Sequence, residues 1–335
     1  MLLVLINVIN INCQSVPGPF ISIWSVQAGE NVTLPLTANG NYSFDVSWGD
    51  GSASDTIISY DQAEIIHVYE STDNYTISID GTIEGWRFNH GGSCGLIQEI
   101  EAWGSLRVGN EGSYFKGCAQ LQVTASDSLD LSGMDNFASF FASCTVFDGT
   151  VSDWNVAGIT NMDSMFYLAE DFNQNLSSWD MSQVDNTRHM FWGNRRFNQD
   201  ITQWDVQQVT NFRGMFDGCY DFNQELSSWM PLQATSLQAM FAYNTNFNQD
   251  LSSWDTSNVQ DISQMFFHAP AFDQPVNWDT SQVTTLESVF DGATAFNQDI
   301  STWDVSLVTS LGSAFRYANN FDYDLSDWNT TQVYI

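Results

Sequence analysis

Phe197-Asn198-Gln199-Asp200-Ile201-Thr202-Gln203-Trp204-Asp205-Val206-Gln207-Gln208-Val209-Thr210-Asn211-Phe212-Arg213-Gly214-Met215-Phe216 decides the fold, because it recurs. Trp154, Trp179, Trp204, Trp229, Trp254, Trp278, Trp303 and Trp328 stand 25 residues apart, with one step of 24 between Trp254 and Trp278. A Phe row keeps step at 166, 191, 216, 241, 266, 290 and 315, and a second at 172, 197, 222, 247, 272, 296 and 321. A fixed period of this size marks one supersecondary unit stacked on copies of itself. No single unit closes a core; stacking makes the aromatic rows continuous.

Within one copy the apolar slots are Leu176, Trp179, Met181, Val184, Met190, Phe191 and Phe197. Leu176 to Met181 has the shape of a short strand with three inward side chains. Val184 to Phe191 reads as a return arm, a helical or 3-10 turn, packed on the Trp row. If Trp points inward, the next residue points out. Asp180, Asp205, Asp255, Asp279 and Asp304 then line one outer face, with Ser178, Ser182, Ser253, Ser257 and Ser306 beside them. Paired strands would set these carboxylates ~4.8 Å apart, where like charges repel by roughly 1 kcal/mol or more per pair. Raised pKa values, ordered water or cations would offset this. Calcium takes about six or more oxygens, so one Asp per coil with Ser hydroxyls makes at best a weak site. The row reads as a solvated face or as a ligand face. Asn173, Asn198, Asn223, Asn248 and Asn297 form a second polar row, expected to ladder between coils. Trp229-Met230-Pro231-Leu232 and Asp273-Gln274-Pro275 break the pattern and are expected to kink or widen the stack.

Ahead of the repeats, residues 16–82 alternate as short strands at 32–36, 42–48, 56–60, 65–69 and 75–79. Such spacing predicts a small β-sandwich. Residues 83–128 read as a transition and cap. Trp103 precedes Phe115 as Trp154 precedes Phe166, so a degenerate coil begins near 96 and shields the apolar end of the stack.

Two resemblances attach to these residues. Trp48-Gly49-Asp50-Gly51-Ser52, His67-Val68-Tyr69 and Tyr75-Thr76-Ile77-Ser78-Ile79 resemble the WGDGS, HxY and YTVxI elements of polycystic-kidney-disease-type (PKD-like) modules. These are extracellular β-sandwiches, and the resemblance makes His67 a structural residue. Residues 129–335 closely resemble the BspA-like leucine-rich-repeat surface proteins. Their repeat, FNQDLSxWDVSxVTNMxxMF, stands nearly verbatim in 247–266. That resemblance implies a secreted or surface-attached protein used for adhesion or interaction, and it does not imply an enzyme.

Composition narrows the partners. Seven Arg and one Lys, Lys116, face 40 Asp and Glu, for a formal net charge of −32. Nucleic acid and anionic lipid need basic patches and are excluded. Residues 1–15 read as a signal peptide: a short apolar run, then Cys13 and Ser15 at cleavage-site positions. No stretch reads as a membrane span. Cys118 and Cys144 occupy the same slot of adjacent coils, three residues after Phe115 and Phe141. They are disulfide candidates, or small buried residues in a small slot. Asn31, Asn41, Asn74, Asn175 and Asn329 stand in glycosylation sequons. HExxH, GxSxG and P-loop motifs are absent, and His67, His90, His189 and His268 share no repeat slot.

The sequence thus predicts a mainly β chain with short helical turns. Its parts are a signal peptide (1–15), a PKD-like sandwich (16–82), a cap (83–128) and a leucine-rich-repeat-like solenoid (129–335). The expected function is extracellular binding of a protein or glycan through the Asp face, without a cofactor. The alternative is a matrix or filament bridged by calcium. The chain stops in mid-coil at Val333-Tyr334-Ile335, so self-association through that end is a further expectation.

Overall fold

The computed structural model describes residues 17–334. They are strand and turn, with one 3-10 turn at Ala63–Ile65 as the helical content among the described residues. The expected signal peptide lies outside them.

Nine strands occupy the N-terminal third. Six form one path, β4 (Asp55–Ile57), β3 (Leu36–Ser47), β6 (Asp73–Trp86), β1 (Phe20–Val26), β7 (Ile97–Ala102) and β9 (Gln122–Val123), and β8 (Leu106–Arg107) joins β6. β2 (Asn31–Thr33) and β5 (Ile66–Val68) make a separate antiparallel pair. The central strand β1 was missed as a strand because its alternation carries Ser22 inward. Ser22 is buried and its hydroxyl accepts the Trp24 indole N–H at 2.9 Å. The boundary expected at 82 falls inside β6, which runs on to Trp86. Gly81 lets β3 and β6 approach there: its φ is 125°, and a Cβ would lie 2.4 Å from the Ser43 carbonyl oxygen. β7 to β9, expected to cap the stack, extend the same sheet.

The coils begin where β6 ends. The amide of Phe88 donates to the Tyr114 carbonyl, that of Phe115 to Phe140, that of Phe141 to Met165, and the series continues to Phe290 and Ala314. The stack therefore starts ahead of the residue 96 expected. Its arm is neither helix nor ordinary strand. In one coil the amides of Met165, Tyr167 and Ala169 close turns on Met162, Ser164 and Phe166. The intervening amides of Met162, Ser164, Phe166 and Leu168 donate instead to Asn186, Arg188, Met190 and Trp192 of the next coil. Alternate N–H groups thus serve their own coil and its neighbour, which leaves few arm donors unpaired. Left-handed residues bracket the Met-Phe pair: Ser164 and Leu168, Ala239 and Tyr243, Gln264 and His268. The inter-coil bridges fall at Asn136, Asn161, Asn186, Asn211, Ser236, Asp261, Thr285 and Ser310. The strand expected at Leu176 to Met181 does not form; that segment is turn and extended chain.

Side chains stitch the coils together on the opposite side. Trp179, Trp204, Trp229, Trp254, Trp278 and Trp303 are buried, and their indole N–H groups donate to Val151, Leu176, Ile201, Leu226, Leu251 and Val276 of the preceding coil at 2.9–3.1 Å. Successive Phe rings lie parallel, as Phe191 on Phe216 at 5.7 Å and Phe216 on Phe241 at 5.8 Å. The Asn row ladders as expected: the amides of Asn198, Asn223 and Asn248 each donate to the side-chain oxygen of the Asn one coil earlier at 3.0 Å.

Neither irregular coil widens the stack, contrary to expectation. Pro231 is buried in the slot of Met181, and Trp229 stacks on Trp254 at 6.3 Å. The 24-residue coil loses its residue inside one turn. Trp278 donates its backbone N–H to Val276, two residues back, where Trp254 donates to Leu251, three back. Phe266 and Phe290 still stack at 5.7 Å.

Replacing Trp204 separates its two roles. Trp204→Phe keeps an aromatic ring but leaves the buried Leu176 carbonyl without its indole partner, a loss of about 1–3 kcal/mol. Trp204→Ala adds a cavity and costs about 3–5 kcal/mol. Denaturant unfolding of both variants should rank them in that order.

Candidate functional site

Asp180, Asp205, Asp255, Asp279 and Asp304 are exposed, with Met230 in their slot in the coil between Asp205 and Asp255, but each Asp has a local task. The Oδ1 atoms of Asp180, Asp205, Asp255, Asp279 and Asp304 accept the backbone N–H two residues on, from Ser182, Gln207, Ser257, Ser281 and Ser306, at 2.9–3.1 Å. These are turns closed by the Asp side chain. A second row was missed. Asp200, Asp250, Asp299 and Asp324 accept from Thr202, Ser252, Ser301 and Ser326 in the same way at 2.8–3.0 Å. The spacing Asp-x-Ser/Thr, repeated on both sides of the Trp, was the available signal. Raised pKa values, one of the offsets considered for the row, do not occur in Asp180, Asp255 and Asp304. Hydrogen bonds from the Ser that follows hold these carboxyls below their ordinary value. The Ser hydroxyl at Asp180 and Asp255, and the Ser306 N–H at Asp304, outweigh the neighbouring charges there.

Calcium finds little at the row. Among the described residues no group of three or more His, Cys, Asp or Glu side chains gathers as a metal site. Each Asp also has one oxygen committed to its turn.

The cysteines do not bridge. Cys118, Cys144 and Cys219 are buried free thiols, and Cys94 is a half-buried one. Cys144 donates its S–H to the Phe115 carbonyl at 3.1 Å and Cys219 to Phe191 at 3.0 Å. Burial pushes these thiols up, so they remain protonated. Cys118 and Cys144 therefore fill a small slot as small hydrophobes. The sequon residues Asn31, Asn41, Asn74, Asn175 and Asn329 are all exposed. His67 locks the turn that follows β3: its ring stacks on Trp48 at 4.8 Å, and its Nε2 lies 2.8 Å from Asp50 Oδ2. Burial opposes ionisation of Asp50, but hydrogen bonds from Ser52 and His67 outweigh it and hold the carboxyl at about 2.

No period in the sequence marks the ladder edge. Tyr220 and Tyr243 are 42% and 47% exposed there, beside Trp192 and Asp217. Trp192 stacks on Tyr167 at 4.6 Å and donates its indole N–H to Asp217 Oδ2 at 2.8 Å. Burial pushes the Asp217 carboxyl up to about 6, against that hydrogen bond. Three coils further on, in the same slot, Asp291 is fully buried and pairs with Arg316 at 2.6 Å.

These features define a mainly β repeat protein whose coils close through backbone turns. Residues 109–229, 197–277 and 276–335 match the family model described as "Mycoplasma protein of unknown function, DUF285". The matches span more than half of the chain, and the protein belongs to that family. No curated protein and no solved structure matches it. No helix among the described residues is long and apolar enough to cross a membrane.

Strong acid and the rise toward neutral pH should act through different carboxyls. Asp180, Asp255, Asp304 and Asp50 have folded pKa values below the ordinary 3.8, so the unfolded chain binds protons first. Their stabilisation is present above pH ~4 and is lost as pH falls toward 2. Asp217 has the opposite sign: its folded pKa near 6 makes ionisation costly, and stability falls as pH rises from ~4 through ~6. Asp217→Asn keeps the acceptor for Trp192 and should flatten that upper limb, while Asp50→Asn should flatten the acid limb. Unfolding midpoints from pH 2 to 8 test both.

Proposed function

We propose that the protein is an extracellular binding protein of the BspA-like type, a PKD-like β-sandwich leading into a leucine-rich-repeat-like solenoid. It holds a protein or glycan on a cell surface or matrix and is not an enzyme. One observation carries the reading: exposed Asp side chains recur in five coils on one face, each held rigid by its own turn. A rigid periodic surface suits an extended partner, whereas a catalytic centre needs unlike groups converging on one point. Fixing each side chain in advance also lowers the entropy lost on binding. The net charge of −32 favours a partner presenting basic groups to this face and makes capture salt-dependent.

The test is capture of cell-surface and matrix preparations by the purified protein at low and physiological salt. The combined change Asp205→Asn, Asp255→Asn and Asp279→Asn preserves the turn acceptors and removes three charges. It should weaken capture and flatten the salt dependence while leaving the unfolding midpoint near that of the parent. If every detected interaction survives the triple change, recognition does not use the Asp face.

A further inference from the structure

The ladder edge carries clefts that the repeat alone would not make. One slot of the arm, two residues after the Phe, is left-handed in coil after coil, and its occupants are Leu168, Gly193, Gly218, Tyr243, His268, Gly292 and Tyr317. Tyr243 and His268 stack in this slot at 5.5 Å, whereas Leu168 leans over Gly193 and the His268 ring over Gly292, each within 2.7 Å of where a Cβ would stand. Gly193 and Gly218 are consecutive. A Cβ on Gly218 would have only Gly193 backbone near it, at 3.4 Å, so the place of a side chain is empty space. The result is a cleft of 290 Å³ with the two glycines as floor and Leu168 and Tyr243 as end walls. Trp192 and Asp217 flank it on one side, Arg195 and Tyr220 on the other. A second cleft of 500 Å³ is lined by His268, whose ring lies over Gly292, and both clefts share Tyr220 and Tyr243.

The chemistry of the walls is specific. Tyr167 covers one face of Trp192 at 4.6 Å, and no aromatic covers the other, because the next coil has Asp217 in that slot. Asp217 spends Oδ2 on Trp192, and its Oδ1 accepts no hydrogen bond among the described residues. Arg195 is held at the rim by Glu170 at 3.2 Å. Aromatic faces suit the C–H faces of a sugar ring, and an acceptor and a donor at the rim suit its hydroxyls. Ligand clefts usually run from ~300 Å³ upward, so the first has room for about one ring and the pair for a short run of rings. The net charge of −32 disfavours sulfated, sialylated or uronic residues.

We infer that the twin clefts around Tyr243 bind a neutral pyranose glycan, one ring over Gly193 and Gly218 against Trp192 and the next beyond Tyr243 toward Gly292. This rests on the surface-binding reading only in assuming an external ligand; it names the ligand class and moves it to the edge away from the Asp face.

The experiment is titration of the full chain with neutral oligosaccharides, such as gluco-, manno- and chito-oligosaccharides, read by Trp fluorescence and calorimetry. Acidic glycans and the matrix preparation serve as parallel arms. Gly218→Leu fills the first cleft with a side chain that Leu168 shows the slot accepts. Trp192→Ala removes the platform, and Leu307→Ala changes an exposed side chain elsewhere on the coils. A neutral oligosaccharide should bind, about tenfold or more weaker in Gly218→Leu and Trp192→Ala and unchanged in Leu307→Ala. Sugar binding equal in all four proteins would overturn the site. Binding of acidic glycans alone, or matrix capture without any glycan binding, would overturn the ligand class and leave the surface-binding reading intact. Absence of both sugar binding and matrix capture would overturn both.

Discussion

Every coil depends on the division of its arm amides between itself and its neighbour. If Met165, Tyr167 and Ala169 close turns within the coil, the amides between them must point along the stack, and only another coil can accept them. A lone coil would leave those donors to water and its Phe and Trp rings exposed. The Trp bonds enforce the same condition on the far side, since each indole N–H needs the carbonyl of the coil before it. Spacing follows from these two constraints. The Phe rings therefore keep 5.6–5.9 Å between coils from Phe166 to Phe315, wherever the chain elsewhere loses a residue or gains a proline.

The aromatic rows and the Asn ladder were legible because burial and inter-coil bonding select one residue type per slot, and a period survives in the sequence. The arm was not, because its defining property is backbone conformation. The left-handed slot accepts Leu168, Tyr243 and His268 as well as Gly193, so no glycine period marks it. The strand was expected at the Trp because Leu176, Trp179 and Met181 share the look of alternating inward residues. The alternation in fact belongs to two consecutive side-chain-closed turns, at Asn175 and Asp180, whose sign was the Ser two residues after each. In the N-terminal sheet the alternating strands were readable, whereas β1 hid behind one buried serine.

The Asp row and the ladder edge differ in what repetition means. The Asp residues repeat because each closes the same turn, so their recurrence is first a folding requirement, and any recognition is laid over it. Residues at the ladder edge vary, from Tyr167 to Trp192 to Asp217 in one slot. Backbone bonds run along that edge from coil to coil whatever the side chain, which frees its side chains to vary. The cost of burying Asp217 and Asp291 is tolerated there because Trp192 and Arg316 partner them.

The two faces of a coil carry matching sets of donors and acceptors, as the ladder and the Trp bonds require. A whole coil can therefore be duplicated or deleted in the gene with the backbone ladder and the Trp bonds remade at the new junction. A change of one residue within a coil has to be absorbed locally, as the turn before Trp278 does. Chains of this kind can diverge in reach by unequal exchange far more readily than by small insertions. Each coil gained or lost moves the edge clefts relative to the β-sheet in steps of one stacking distance.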